Sequence, residues 1–98
     1  MYKIVFQPLA LKDIQEIVDY YDVINPKITD AFIEELENKT KIIQQTPLSF
    51  PKKLGDVRAL YMKIFRYGVY FKIYSKEKRI TIIAVIHTSR NSKIWQKR

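Results

Sequence analysis

The residue best suited to acid–base chemistry in this chain is His87, which is its single histidine. Histidine is the side chain whose ordinary pKa lies near neutrality, so a histidine can exchange a proton at physiological pH. His87 follows the apolar run Ile80 to Ile86, which is predicted to be a strand, and a side chain at a strand end lies close to an exposed sheet edge. The alternative interpretation is a strand-end histidine that hydrogen-bonds a nearby carbonyl group.

Basic side chains supply candidates for binding a phosphate group beside this histidine. Arginine presents planar, multidentate donors that match phosphate oxygens, and Arg90 lies three residues beyond His87. Arg58 and Arg66 from neighbouring segments are further candidates, and Lys63 is a candidate second cation or general acid. The alternatives are scattered surface arginines and a strand-edge lysine that opposes aggregation.

Aromatic residues alternate with basic ones in the same part of the chain. Exposed rings of this kind stack on bases in RNA-binding sheets. Core packing or cross-strand pairing explains most of them more simply. Trp95 is a candidate for capping the site or stacking on a base, and its alternative role is to pin the C-terminal tail to the body. The tyrosines concerned are Tyr61, Tyr67, Tyr70 and Tyr74.

The charges of the chain are sorted by position. Residues 1–46 carry five lysines against eight acids, a sum of −3, and residues 47–98 carry thirteen basic residues against two acids, a sum of +11. A concentrated positive field attracts polyanions at long range, so nucleic acid or an acidic protein segment is the expected partner. The alternative is a solvated basic face that maintains solubility.

Composition excludes several classes of protein. Cysteine is absent, which excludes disulfides and thiolate zinc sites, and the single histidine excludes a histidine-rich metal centre. We therefore expect neither a metal nor a cofactor. No apolar run approaches the roughly 20 residues that cross a bilayer, and the N-terminal residues do not resemble a signal peptide. We expect a cytoplasmic protein with no membrane association, folded as one domain over residues 1–98.

The first half of the chain predicts a strand and a helical hairpin. Residues 2–6 form a β-rich run that Pro8 ends, which is typical of a strand at or near a sheet edge. Apolar residues then recur at helical spacing up to Tyr21, and Asn25-Pro26 interrupts them. A second amphipathic helix is predicted from Pro26 to about Gln45, with Pro47 as the stop. The short link between the helices indicates an antiparallel pair.

In the second half the apolar period changes to two residues. Residues 47–55 contain two prolines and a glycine and are predicted to be a loop. Three strands are predicted at 57–62, 68–74 and 79–86, and the short connection 75–78 makes the last two antiparallel neighbours. The last strand is nearly all apolar, so it is predicted to be interior. The tail from Thr88 to Arg98 is predicted to be a short helix or an ordered segment.

This β-α-α-β-β-β order resembles the RelE/ParE superfamily of bacterial toxins, an α+β fold with an N-terminal strand, a helical hairpin and an antiparallel three-strand meander. The resemblance covers nearly the whole chain. Its elements are the helix from Leu9 to Tyr21, the loop from Pro47 to Pro51, the run from Val57 to Leu60 that opens a strand, the strand segment from Tyr70 to Tyr74, and the final strand that runs into His87, Arg90 and Trp95.

The resemblance implies the toxin of a type II toxin–antitoxin module, neutralised by a small antitoxin protein. RelE-like members cut mRNA on the ribosome, whereas ParE-like members poison DNA gyrase on almost the same fold. The first expectation is a metal-independent endoribonuclease, and the alternative is a gyrase inhibitor without nuclease activity. For the nuclease, the expected catalytic residues are His87, Arg90, Arg58 and Lys63, and the expected RNA-binding residues are Arg66, Lys72, Tyr70 and Trp95.

The chain also departs from the nuclease pattern of that superfamily. Potent RelE-like nucleases have an arginine in the middle strand where this chain offers Phe71 or Lys72, and a tyrosine after the final arginine where it offers Trp95. We further expect the antitoxin to lie over the basic meander. The helical hairpin is expected to provide a second docking surface through a partly exposed Tyr20 or Phe32.

Overall fold

The computed structural model of the chain describes residues 1–90 and 93–98. Asn91 and Ser92, which belong to the predicted tail segment, lie outside the described residues. The elements in chain order are β1 (Lys3–Phe6), α1 (Pro8–Ile24), α2 (Pro26–Gln45), a 3₁₀ turn (Pro47–Ser49), β2 (Lys52–Leu54), β3 (Val57–Tyr61), β4 (Tyr67–Tyr74), β5 (Arg79–His87) and α3 (Lys93–Gln96).

The helical hairpin turns within one residue. Asn25 takes an extended conformation between α1 and α2, and its backbone N–H donates to the carbonyl of Tyr21 at 2.8 Å. Its side-chain oxygen accepts from the backbone N–H of Lys27 at 3.0 Å and so caps α2. Pro26 then occupies the first turn, where the missing N–H leaves no bond unmade. The predicted hairpin is confirmed.

The strands form one five-stranded sheet in the order β1-β5-β4-β3-β2. Strands β2 to β5 are antiparallel neighbours, and β1 pairs with β5 in parallel at the edge. The predicted positions of the first strand at an edge and of the last strand in the interior are therefore confirmed. The register of β4 and β5 shifts between Tyr70 and Phe71, which leaves Ile83 as the extra residue of a bulge in β5.

The prediction of a loop over residues 47–55 is wrong in part. Residues 47–49 form the 3₁₀ turn, and residues 52–54 pair with β3 as the outer strand β2. The meander therefore has four strands, one more than predicted. Lys52-Lys53-Leu54 carries neither an alternating pattern nor a β-branched residue, and all three residues are exposed, so the pairing comes from the adjacent turn and not from buried side chains.

The sheet carries an apolar core on each face. On one face α1 and α2 cover the strand residues Phe71, Ile80 and Ile82, and α2 contributes the fully buried Phe32 to the same core. On the opposite face the short helix α3 places Trp95 against Tyr70, Ile83 and other strand residues. Of the two side chains expected to be partly exposed on the hairpin, Tyr20 is 62% exposed and Phe32 is not exposed at all, because its ring packs between Tyr21, Phe65 and Tyr67.

Candidate functional site

A cleft of about 320 Å³ lies between α1 and the C-terminal end of β5. His87 and Arg90 both line it, so the structure brings these two predicted site residues together. The other side of the cleft comes from the first turns of α1. The polar residues that line the cleft are Lys12, Asp13, Glu16, Tyr20, Tyr67, His87, Arg90 and Arg98.

The His87 ring is held by two contacts. It lies edge-on against the Tyr67 ring, with the ring centroids 5.3 Å apart and the planes at 88°. Its Nδ1 accepts a hydrogen bond from the backbone N–H of Ser89 at 3.1 Å and lies 2.7 Å from the Ser89 hydroxyl oxygen. A neutral imidazole that accepts at Nδ1 carries its proton on Nε2, so these contacts assign the Nε2–H tautomer. His87 is bonded to Ser89 and not to a carbonyl group, the alternative considered from the sequence.

Arg58 lies away from this cleft. It is paired in the sheet with Phe71, whereas His87 is paired with Tyr67, four residues back along β4. That spacing corresponds to about 13 Å along the strand direction, with two strand separations in addition. The Arg58 guanidinium donates to the carbonyl of Phe50 at 2.7 Å, and its role in these contacts is to hold the segment before β2 against β3.

Lys63 and Arg66 belong to the loop between β3 and β4, which we call the β3–β4 loop (residues 62–66). Both residues are exposed. The loop approaches the end of β5, since the carbonyl of Arg66 accepts from the backbone N–H of Thr88 at 2.8 Å. Neither Lys63 nor Arg66 lines the cleft that contains His87.

Tyr70 and Trp95, which were expected to bind RNA, are buried in this structure, and neither exposes its ring face. Their relative exposures are 6% and 4%, and the two rings stack on one another with centroids 4.9 Å apart. Burial raises the pKa of Tyr70 to about 12, so its hydroxyl is neutral at physiological pH. Trp95 pins the tail to the sheet face opposite the helices. Lys72 is half-buried on β4 and lines a separate depression with Trp95.

Asp13 is a site residue that the sequence reasoning missed. Its carboxylate accepts from the backbone N–H of Val85 at 3.0 Å and from both terminal nitrogens of Arg98, which also donates to the carbonyl of Ile83. The bulge in β5 and the short β1 leave these backbone groups without a strand partner, and Asp13 and Arg98 supply the missing bonds. The sequence offered a signal for this role, because Asp13 lies four residues before the apolar Ile17 and therefore on the same face of the helix, the face that packs on the core.

Glu35 is the second residue that was missed. It is 7% exposed, and its carboxylate accepts from three consecutive backbone N–H groups, those of Lys63, Ile64 and Phe65, each at 3.1 Å. Burial alone would raise the pKa of Glu35, but the three N–H donors outweigh burial and hold the pKa below its usual value. An acid three residues after Phe32 on the apolar stripe of α2 was the available signal.

The chemistry available in the cleft is limited by its mixed charge. Asp13 and Glu16 oppose Lys12, Arg90 and Arg98, so the formal charges of the lining side chains nearly cancel when His87 is neutral.

Within the described residues, no group of three or more acidic or histidine side chains is placed to hold a metal ion. In that same part of the chain, no helix has the length and apolar character needed to span a membrane.

Comparison with known proteins places this arrangement among toxins. Residues 4–92 match the family model described as the ParE toxin of the type II toxin–antitoxin system parDE. A comparison with curated proteins found no match.

Solved structures share the fold at low sequence identity. The chromosomal ParDE system of P. aeruginosa is 22% identical with a TM-score of 0.76, and the match covers 89% of this chain and 96% of that one. The isolated E. coli RelE toxin is 16% identical with a TM-score of 0.66, over 99% and 95%. The RelE–RelB complex of Pyrococcus horikoshii is 18% identical with a TM-score of 0.58, over 92% and 98%.

Proposed function

This chain belongs to the ParE toxin family of type II toxin–antitoxin systems, and we propose that it arrests growth by binding a protein target, DNA gyrase, and not by cutting RNA. The proposal reverses the order expected from the sequence. The observation that carries it is the dispersal of the expected catalytic and RNA-binding residues over four separate places: the cleft, the contact of β3 with Phe50, the β3–β4 loop and the sheet face opposite the helices.

The dispersal supports the proposal because RNA cleavage requires a different arrangement of these residues. Cleavage needs a base for the 2′-hydroxyl, cations for the phosphorane and an acid for the leaving oxygen, all within hydrogen-bond reach of one phosphate. His87 and Arg90 share the cleft, Arg58 is bonded to the Phe50 carbonyl, and Lys63 lies on the β3–β4 loop. Tyr70 and Trp95 are buried on the opposite face of the sheet.

The state of His87 argues in the same direction. Nδ1 of His87 is engaged by the backbone N–H of Ser89 and lies beside its hydroxyl group, so Nε2 is the ring nitrogen left to meet a ligand, and one ring nitrogen alone does not supply both a base and an acid. The near balance of charge in the cleft also leaves it with little attraction for a polyanion. A protein partner needs neither a base nor a surplus of positive charge in this cleft.

RNA cleavage remains the second candidate function because one observation favours it. His87 and Arg90 line the same cleft, and the imidazolium form of His87, which carries a proton on each ring nitrogen, has an Nε2–H to give to a leaving oxygen. In that mechanism His87 would protonate the leaving 5′-oxygen, and Arg90 would stabilise the phosphorane charge. A base would have to come from the ribosome or the RNA.

We further propose that a small antitoxin protein neutralises the chain by lying over the basic meander. Two observations support this surface. The outer strand β2 is exposed along its whole length, so its edge is open to an added strand. The basic half lacks the acids to balance its own charge. The exposed Tyr20 ring on α1 supports a second contact on the hairpin.

One experiment separates the two candidate functions. The toxin is induced without its antitoxin, and the cells are assayed at the same time points for intact mRNA and for gyrase trapped covalently on DNA. Trapped gyrase with intact mRNA is expected. Rapid mRNA loss without trapped gyrase would overturn the proposal and make RNA cleavage the leading function. Co-induction of the antitoxin is the control, and it should abolish either effect.

A further inference from the structure

The backbone of the β3–β4 loop is held by hydrogen bonds from most of its N–H groups. Three of its consecutive N–H groups donate to Glu35. The N–H of Met62 donates to the carbonyl of Tyr67 at 2.9 Å, and the N–H of Tyr67 donates to the carbonyl of Phe65 at 2.9 Å. A loop whose backbone donors are satisfied in this way has little conformational freedom to lose when it meets a partner.

The side chains of the loop divide into an anchor and an exposed tip. Phe65 is the anchor, since its ring packs edge-on against Tyr21 and Phe32 at centroid distances of 5.5 Å. Ile64 is the tip and is 78% exposed. Lys63 and Arg66 flank it and are exposed as well. What distinguishes Ile64 from the other exposed apolar side chains is that the backbone around it is fixed by Glu35 and that a cation lies on each side of it.

The structure maintains this tip at a cost. A buried carboxylate loses its hydration, and Glu35 recovers the loss chiefly through the N–H groups of this one loop, with a smaller contribution from the charge of Lys39. An apolar residue at position 35 would pack against the core without this requirement. The carboxylate therefore serves the shape of the loop more directly than it serves the packing of α2.

We propose that the β3–β4 loop docks the toxin on its protein target, with Ile64 entering an apolar socket and with Lys63 and Arg66 meeting acidic residues at the rim. The inference deepens the proposed function and rests on it, since it requires a protein target. Glu35 is a positioning residue that acts through the loop backbone. An apolar anchor surrounded by charged contacts is the usual composition of an interface hot spot.

Charge and chemistry favour an acidic protein over the other occupants. An aliphatic tip offers nothing that stacks on or hydrogen-bonds to a base, which disfavours RNA. The same surface on a second copy carries the same positive charge and would be repelled. The antitoxin has two other surfaces available to it, the edge of β2 and the exposed Tyr20 on the hairpin.

The test compares loop variants with matched controls in the full chain. Ile64→Ser and Lys63→Glu alter the tip, whereas Leu48→Ser removes an aliphatic side chain that is 67% exposed elsewhere in the basic half. Lys76→Glu reverses an exposed charge in the connection between β4 and β5. Each variant is measured for growth arrest over a range of inducer, for affinity to the cognate antitoxin, for thermal unfolding and for solution mass.

We expect Ile64→Ser to need about 10- to 100-fold more toxin for the same arrest, as the loss of one buried isoleucine contact predicts, and Lys63→Glu to weaken arrest in the same direction through the lost charge contact. Both tip variants should unfold at the temperature of the parent, and both controls should arrest growth as the parent does. Ile64→Ser should bind antitoxin as the parent does, and Lys63→Glu should weaken that binding no more than Lys76→Glu, which reverses a charge in the same basic half. Unchanged arrest by Ile64→Ser would overturn the proposal. Equal loss of arrest and of antitoxin affinity would assign the loop to the antitoxin instead, and a dimer that Ile64→Ser dissociates would assign it to a second copy.

The failure of the docking proposal differs from the failure of the proposed function. If the parent traps gyrase and Ile64→Ser traps it equally well, only the docking proposal is wrong. If the parent arrests growth by destroying mRNA, the proposed function is wrong. In that case, slower mRNA loss in Ile64→Ser would identify the occupant of the loop as the ribosome or RNA, and the docking proposal would be wrong too.

Glu35→Gln should show partial loss of arrest together with faster hydrogen exchange at the amides of residues 63–65.

Discussion

The two halves of the chain use their charged side chains in opposite ways. In residues 1–46 two acids bind groups of the other half: Asp13 binds the β5 bulge and Arg98, and Glu35 binds the β3–β4 loop. The exposed Asp22 accepts from the Thr29 hydroxyl at 2.6 Å and so joins the two helices of the hairpin. In residues 47–98 the cations of the loop and of the cleft rim, such as Lys63, Arg66 and Arg90, are exposed. Acids of residues 1–46 therefore fix backbone segments of residues 47–98 that carry or adjoin these exposed cations.

The contrast separates structural charge from functional charge. Asp13 and Glu35 reach across the chain to backbone groups of the basic half, 72 residues away for Val85 and 30 for Phe65. Such bonds fix where strands end and loops turn, and their loss would be measured as a loss of stability. The exposed cations make few contacts of this kind, so their loss would be measured in binding.

The largest effect is expected from Asp13→Ala. The substitution leaves Arg98 and the Val85 N–H without their acceptor in a place where both side chains of the ion pair are about 12–14% exposed. Breaking a pair of this kind is expected to lower the free energy of unfolding by about 3–5 kcal/mol. Urea denaturation measures it. Asp30→Ala, at an exposed position of α2, is the control and should change stability by less than about 0.5 kcal/mol.

A double-mutant cycle sharpens the same point. If Asp13 acts through Arg98, then Asp13→Ala and Arg98→Ala should destabilise together by less than the sum of their separate effects. Strict additivity would show that the two residues act independently, and it would break the assignment of Asp13 as the group that holds the tail to the β5 bulge.

Glu35→Gln is expected to produce the next largest effect, about 2 kcal/mol, because a neutral amide replaces a carboxylate that accepts three N–H bonds. The pKa of Glu35 is lower in the folded chain than its usual 4.5, so ionised Glu35 stabilises the fold above pH 4.5, and this stability is lost as the pH falls through the lowered pKa. The difference between parent and variant should therefore shrink in acid. A difference that grows below pH 4.5 would contradict the sign of the shift.

The antitoxin complex tests the basic half. If the antitoxin lies over the meander, its affinity should weaken about tenfold or more between low and high salt, as several screened contacts predict. Titration at two ionic strengths measures the change. The helical hairpin supplies the comparison, since an antitoxin truncated to the segment that contacts the hairpin should show a smaller salt dependence. An intact complex indifferent to salt would place the antitoxin elsewhere.

Local sequence patterns predicted most of the elements of the fold. The features that were missed, strand β2 and the roles of Asp13 and Glu35, depend on contacts between residues distant in the sequence or on pairing with a neighbouring strand. Proline and asparagine at the helix ends and the change of period after Val57 are local features, and the helices and three strands follow from them. Strand β2 has no pattern of its own and forms only because β3 is beside it. Asp13 and Glu35 bond to N–H groups, which every residue carries, so no spacing of side chains identifies their partners.

The candidate site was predictable to the same extent. His87 and Arg90 are close in sequence and lie in one cleft, as their spacing indicated. Arg58 is far from them because the register of β3 against β4 sets its position, and that register depends on the whole meander. Two roles were considered for Trp95, and the structure agrees with the one in which it pins the C-terminal tail, since its ring stacks on Tyr70.

The smallest effect is expected at the residues that first suggested chemistry. If the toxin acts by binding gyrase, His87→Gln should change growth arrest by about twofold or less, the ordinary result of a substitution near ±0.5 kcal/mol. Arg90→Ala is the companion variant, and neither should alter unfolding or antitoxin affinity, because neither side chain joins the Asp13 or Glu35 contacts. In a nuclease the same variants would slow mRNA cleavage by about 10²–10³-fold. A result of that size, in folded variants that still bind antitoxin, would make the cleft catalytic and return RNA cleavage to first place.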